Sequence, residues 1–252
     1  MAAATEARNT RLRLMAPLSG VLVPLDDVPD PVFAQRLVGD GVSVDPVSAV
    51  LLAPCDGRIT QLHSAAHALT IATAAGVEVM MHIGLDTVGL KGRGFVARVK
   101  TGDDVRTGDT LIEFDADFVA TNARSLLTQV IITSADRVTG LRAHSGVVQA
   151  GRDVILEADV RSAAGVAPAA ASRGGGKVES DDIVVSNATG LHARPAAVLA
   201  ARARAFKSEI RLRRDGQEAN AKSVVAIMAL EVAGGQSVRF VAEGPDAFEA
   251  VA

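Results

Sequence analysis

Ala68-Leu-Thr-Ile-Ala-Thr-Ala-Ala-Gly-Val-Glu-Val-Met-Met-His-Ile-Gly-Leu-Asp-Thr-Val88 decides the reading of the first half of the chain. Two short runs rich in β-branched and apolar residues flank the turn signal Ala75-Gly76, so each reads as a short strand. The second run is apolar almost throughout and carries His82 at its end, while His67 ends the loop before the first. If the two strands are neighbours, two imidazoles meet at one shallow surface.

Working outward, turn signals recur every 8 to 12 residues or so: Ser19-Gly20, Asp56-Gly57, Gly92 and Gly94, Thr101-Gly102, Thr107-Gly108, Ser145-Gly146 and Ala150-Gly151. Short runs such as Thr110-Leu-Ile-Glu-Phe114 and Val130-Ile-Ile132 lie between them. Many short strands with Gly-rich turns predict a mostly β, sandwich or barrel-like domain. A degenerate repeat runs through it. Pro17-Leu-Ser-Gly20 resembles Pro54-Cys-Asp-Gly57, and Gly102–Leu111 resembles Gly146–Ile155, so one turn-and-strand unit is used twice. Only Asp115–Leu127 reads as helical there.

Arg161–Ser180 is almost wholly Ala, Gly, Ser and Pro, the composition of a flexible tether. The expected divisions are a disordered leader at 1–11, a β domain at 12–160, a linker at 161–181 and a second domain at 182–252. The second domain reads as an α+β open-faced sandwich. Ile183-Val-Val-Ser186, Glu209-Ile-Arg-Leu-Arg213 and Ser237-Val-Arg-Phe-Val-Ala242 are strand-like, Arg194–Lys207 has helical spacing, and Ser223 stands at the N-cap of a second helix. Gly244–Ala252 begins a further helix, so the domain is expected to be incomplete at its C-terminus.

The chain has 252 residues and a net charge of −3, which gives no global basic excess pointing to nucleic acid. Hydrophobic residues make up 48%, above the range of disordered chains, yet 45 residues are Ala and neither Trp nor Tyr occurs, so Val, Ile and Leu must fill the cores. The lone Cys55 excludes an internal disulfide and fits a reducing compartment. Arg8, Arg11 and Arg13 ahead of the apolar stretch Leu14–Leu25 imitate a signal peptide loosely, but two prolines, Ser19-Gly20 and the following Asp26-Asp27 spoil it. A cytoplasmic protein is expected. Charge is uneven: 13 basic and 18 acidic residues in 11–160 give −5, whereas 8 basic and 3 acidic residues in 192–222 give +5.

Five histidines are present: His63, His67, His82, His144 and His192. In Thr189-Gly-Leu-His-Ala-Arg-Pro195, His192 directly precedes a predicted helix with Pro195 in its first turn. A helix N-terminus offers free N–H groups and a positive dipole end, so a phosphoryl group on His192 could be held there with help from the Arg194 guanidinium. His82 has two further readings. One is a buried histidine satisfied by Asp86 or Thr87; the other is a two-histidine metal site completed by Asp86, as in a zinc-dependent hydrolase, though no H-x-H or H-E-x-x-H pairing supports it.

Pro17-Leu-Ser-Gly20, Ala53-Pro-Cys-Asp-Gly57, Gly76–Val88, Leu90-Lys-Gly-Arg-Gly-Phe95 and Gly108–Asp115 together resemble the glucose-type enzyme IIA of the bacterial phosphoenolpyruvate-dependent sugar phosphotransferase system, over about residues 12–158. Residues 182–252 resemble the phosphocarrier HPr, through Gly190-Leu-His-Ala-Arg-Pro195 and Asn220-Ala-Lys-Ser-Val224. The resemblance implies that His192 takes phosphate from enzyme I and passes it to His82, which delivers it to a sugar-specific enzyme IIB of a membrane permease. His67 would hydrogen-bond the phosphoryl group, Arg194 would bind it, Ser223 would be a regulatory phosphorylation position, and no metal or cofactor is required. A phosphorylation-dependent regulatory binding protein is the alternative. The fusion resembles the N-terminal part of a multiphosphoryl transfer protein, with an enzyme I module expected after it. Two positions depart from the family: Ala65 stands where a Thr is common, and Gly89 where an acidic residue is frequent.

Overall fold

The structure, a computed structural model of the chain, describes residues 10–161, 177–188 and 190–251. The chain divides into two compact units, the first reaching Val166 and the second beginning at Ala167. Most of the expected tether, and most of the expected leader, lie outside the described residues.

Among the described residues, the first unit is built from one eight-stranded and two three-stranded antiparallel sheets. The large sheet runs in the order Gly146–Val148, Gly20–Pro24, Asp40–Pro46, Thr128–Ile132, Glu78–His82, Ala68–Ala72, Gly57–Leu62 and Asp104–Val105. The repeated motifs take matching roles, since Gly20 and Gly57 each open a strand of this sheet. The Gly20 position has a close-approach reason as well: a Cβ there would collide with the Asp45 backbone of the neighbouring strand.

Alternation along the central strands sorts the two sheet faces. Val42, Val130, Met81 and Leu69 lie in one cross-strand row and enter the main core, which also holds Leu14, Ile59, Val79, Ile83 and Ile155. The adjacent row, Ser43, Gln129, His82 and Ala68, faces the other way. That second face is also closed to solvent. Asp30 caps the one-turn helix Pro31–Ala34 by accepting the Val32 N–H at 2.9 Å, and the helix buries Val32 and Phe33. Arg36 beside it pairs with Asp26 and Asp40. This helix has too few residues to show a helical period, which is why the sequence pattern missed it.

The helix expected over Asp115–Leu127 is shorter, Ala116–Asn122. The Asp115 side chain accepts the Phe118 N–H and starts it, and the bridge between Leu85 and Ser125 draws the following backbone into sheet pairing and ends it.

In the second unit, strands Lys177–Glu179, Ser237–Glu243, Glu209–Arg214 and Gln217–Asn220 pair in that order, with Ile183–Val184 also on Ser237–Glu243. Lys177–Glu179 lies within the stretch read as tether; Lys177 bridges to Glu179 across one face, and pairing with Glu243, Ala242 and Val241 gives the segment its order. The expected strand at 183–186 is reduced to two residues. Helices Ala193–Arg204, Val224–Ala229 and Ala247–Val251 complete the unit. The first packs a stripe of small residues, Ala193, Ala196, Ala197, Ala200 and Ala203, which permits a close approach to its neighbours. Among the described residues, no helix is long and apolar enough to cross a membrane.

Candidate active site

His82 is the last residue of its strand and only 6% exposed. Its Nδ1 lies 2.9 Å from the Gly84 carbonyl oxygen. A carbonyl can only accept, so Nδ1 carries the proton, and the neutral ring has its lone pair at Nε2. The Nδ1 contact is thus made to the Gly84 backbone. The Thr87 hydroxyl instead donates to the Ile83 carbonyl at 2.7 Å, pinning the short 3-10 helix Thr87–Leu90. Gly84 has φ +70°, a backbone shape that turns its carbonyl back under the ring and that favours glycine.

His67 is brought to His82 by the antiparallel pairing of the two strands. Ala68 is the register partner of His82, and the His67 carbonyl accepts the Ile83 N–H at 2.8 Å. The two rings meet edge-on, with centroids 5.0 Å apart and planes at 75°. The expected shallow surface is deeper than the pattern implied. His67 is 2% exposed, with Phe95 6.4 Å from its ring, and Phe33 stands 5.7 Å from the His82 ring.

His63 joins this pair, a residue the motif reading had set aside. Its ring lies 4.3 Å from that of His67. The turn that reverses the chain between them is closed by the Ala66 N–H donating to the His63 carbonyl at 2.7 Å, with Ala66 at φ +52°. The His63 Nδ1 accepts the Ala65 N–H at 3.1 Å. Ala65 thus contributes through its backbone. The signal that could have found His63 is its four-residue spacing from His67 across a tight turn. Gly89, the other departure, is exposed and has open space where a Cβ would point. Among the described residues, no group of three or more His, Cys, Asp or Glu side chains is placed to hold a metal ion.

In the second unit, His192 is the N-cap of the helix Ala193–Arg204 and is partly exposed, with its carbonyl accepting the Ala196 N–H at 3.0 Å. Gly190 at φ +70° passes so close to the Val232 backbone that no side chain fits there, and the Leu191 N–H donates to the Val232 carbonyl at 2.8 Å. These contacts hold the entry to the helix. Arg194 is exposed in the first turn, and Pro195 follows it where a missing N–H costs little. Ser223 caps the helix Val224–Ala229 by accepting the Ala226 N–H at 3.2 Å.

Comparison with known proteins agrees with both units. The model of the phosphoenolpyruvate-dependent sugar phosphotransferase system EIIA 1 family matches residues 12–138, and that of the PTS HPr component phosphorylation site matches 179–252. The glucose-specific EIIA component of Halalkalibacterium halodurans is 45% identical over 137 residues, covering 54% of this chain and 79% of that protein. The corresponding protein of Haemophilus influenzae is 40% identical over 151 residues, 60% of this chain and 91% of that one. The solved structure of glucose permease IIA from Mycoplasma capricolum superposes with a TM-score of 0.56 at 36% identity, over 59% of this chain and 96% of its own. The chain therefore belongs to the EIIA 1 family of the phosphoenolpyruvate-dependent sugar phosphotransferase system, and it carries an HPr domain in the same polypeptide.

Proposed function

We propose that the protein is a two-step phosphoryl relay in which His192 accepts phosphate from enzyme I and passes it to His82, which hands it to a sugar-specific enzyme IIB of a membrane permease. The observation that carries the reading is the contact of His82 Nδ1 with the Gly84 carbonyl: with Nδ1–H donating there, the lone pair of a neutral ring lies on Nε2, the nucleophile such a transfer needs. In the transfer, the N–P bond at His192 breaks as the bond from His82 Nε2 to phosphorus forms, and the Nδ1 proton stays in place. Positioning and charge stabilisation are the main requirements of phosphoryl transfer. His67, edge-on to His82, would hydrogen-bond the phosphoryl oxygens. At His192 the helix N-terminus and the Arg194 guanidinium would do the same, with charge-assisted bonds worth about 1.5–3 kcal/mol each before exposure weakens them. Ser223 would be the regulatory phosphorylation position. The relay would work in the cytoplasm, with domains at 12–160 and 182–252 joined by a tether at 161–181 and an enzyme I module either separate or fused beyond it.

The test supplies enzyme I and phosphoenolpyruvate. The chain should take up two acid-labile phosphates; His192→Ala should abolish both and His82→Ala should leave one. Normal labelling of His82 in the His192→Ala chain would overturn the order of transfer.

A further inference from the structure

Gln129 is fully buried beside His82 and plays no part in the relay as described. The two residues are direct register partners on adjacent antiparallel strands, so their side chains share one sheet face, with Cβ atoms about 4.5–5.5 Å apart. Both side chains also run toward the same end of the strand pair. His82 Nδ1 reaches the Gly84 carbonyl, two residues onward, and Gln129 Nε2 donates to the Leu127 carbonyl at 2.6 Å, two residues back on the opposing strand. The Gln129 amide is thereby committed in orientation. Its other polar atom, Oε1, is buried and has no hydrogen-bond partner among the described residues. Buried polar atoms are nearly always matched, so an acceptor left open next to a nucleophilic ring calls for a function.

We propose that Gln129 is a positioning residue for phosphoryl transfer, its Oε1 dipole stabilising the positive charge that the His82 ring acquires when Nε2 bonds to phosphorus. This rests on the relay reading above. In the resting ring, Nδ1–H donates to the Gly84 carbonyl. As the N–P bond forms, the ring shares a positive charge with Nδ1–H, and a fixed acceptor in a water-poor site gains its interaction only then. An interaction stronger in the transition state than in the ground state raises the rate, whereas one present in both does not.

The experiment compares the full chain with Gln129→Met and Gln129→Leu, which keep the volume and remove the unmatched acceptor. Phosphoryl arrival at His82 from phosphorylated His192 is measured in a single turnover, together with the melting temperature and the NMR resonance of the His82 Nδ1 proton in the phosphorylated state. Expected are arrival slowed about tenfold, less than the 10²–10³ typical of a lost direct oxyanion contact, an equal or higher melting temperature, and a shifted Nδ1 proton. Normal arrival with raised stability would make Gln129 a plain core defect and overturn the proposal. So would slow arrival with a lowered melting temperature and an unmoved Nδ1 resonance. Should the unmodified chain fail to place phosphate on His82, the relay reading itself falls, a result separable from either of these.

Discussion

The His67 and His82 rings meet T-shaped with centroids 5.0 Å apart, although Ala68, not His67, is the register partner of His82. The offset of one residue places His67 at the mouth of the hairpin, where the turn through Ala65 and Ala66 lets its ring lean over the neighbouring strand instead of standing in the cross-strand row. A group in that place can serve phosphate bound to Nε2 of His82 without competing for it.

His67→Gln keeps a hydrogen-bond donor in this position but shortens and loosens it. His82 should still accept phosphate, while onward transfer to enzyme IIB slows by about 10–100-fold, below the about 10²–10³ of a stabilising donor removed outright. Rapid-quench measurement of the two steps checks this. Phosphate recovered on residue 67 of the unmodified chain would reverse the two roles.

Gly84 fixes the His82 ring through its carbonyl, and it does so with φ +70°. A Cβ there would stand 2.6 Å from the Thr87 methyl and 2.8 Å from the Ser125 carbonyl oxygen. Gly84→Ala therefore combines left-handed backbone strain with overpacking, an expected loss of about 2–4 kcal/mol, and phosphorylation of His82 should slow with it. Gly89→Ala is the control: nothing lies within 4 Å of its Cβ direction, and a change within about 0.5 kcal/mol is expected. Equal melting temperatures for Gly84→Ala and the unmodified chain would contradict the steric argument.

Cys55 offers a prediction about reactivity. Burial chiefly, and the neighbouring Asp56 carboxylate after it, push its thiol up to about 12. Asp56 is itself held anionic by the Thr107 N–H and hydroxyl. Near pH 8 the thiolate, which is the reactive form, is scarce and sealed in the main core. Labelling by a disulfide reagent should need unfolding of the first unit. Stoichiometric labelling of the folded protein within minutes at pH 8 would refute it.

Much of this site was legible because its signals are local. Ala75-Gly76 reads as a turn between two apolar runs, and the pairing of those runs as neighbours, which the structure supplies, is what joins His67 to His82. Ser223 was readable as a cap because its residue type ahead of a periodic stretch is an N-cap signal, and His192 as the residue before a helix because Pro195 suits a first turn. What the pattern could not carry was non-local. Phe33 reaches His82 from a one-turn helix more than forty residues away, and Gln129 comes beside it from a strand that is distant in sequence. Lys177–Glu179 has a tether-like composition and becomes a strand only because Ser237–Glu243 offers it an edge.

Asp246 sets the response of the second unit to acid. Its carboxylate accepts the Ser208 hydroxyl and the N–H groups of Lys207 and Ser208, while the Ser208 hydroxyl oxygen accepts the Asp246 N–H at 3.1 Å. The clasp ties the turn after Ala193–Arg204 to the start of the final helix. Led by the Ser208 hydroxyl and then the Lys207 N–H, these bonds lower the carboxyl from 3.8 to about 2. A folded-state value below the unfolded one means the charged form stabilises the fold. That contribution is complete above about pH 4 and disappears as pH falls from 3.8 toward 2. Asp246→Asn retains the shape but loses the charge, so the melting temperature of the second unit should fall at neutral pH, and the gap to the unmodified chain should close in that acid window. With no Trp or Tyr in the chain, the Ser208 and Lys207 amide resonances are the probes. A gap that stays constant from pH 7 to pH 2 would show that the carboxylate charge contributes nothing to the clasp.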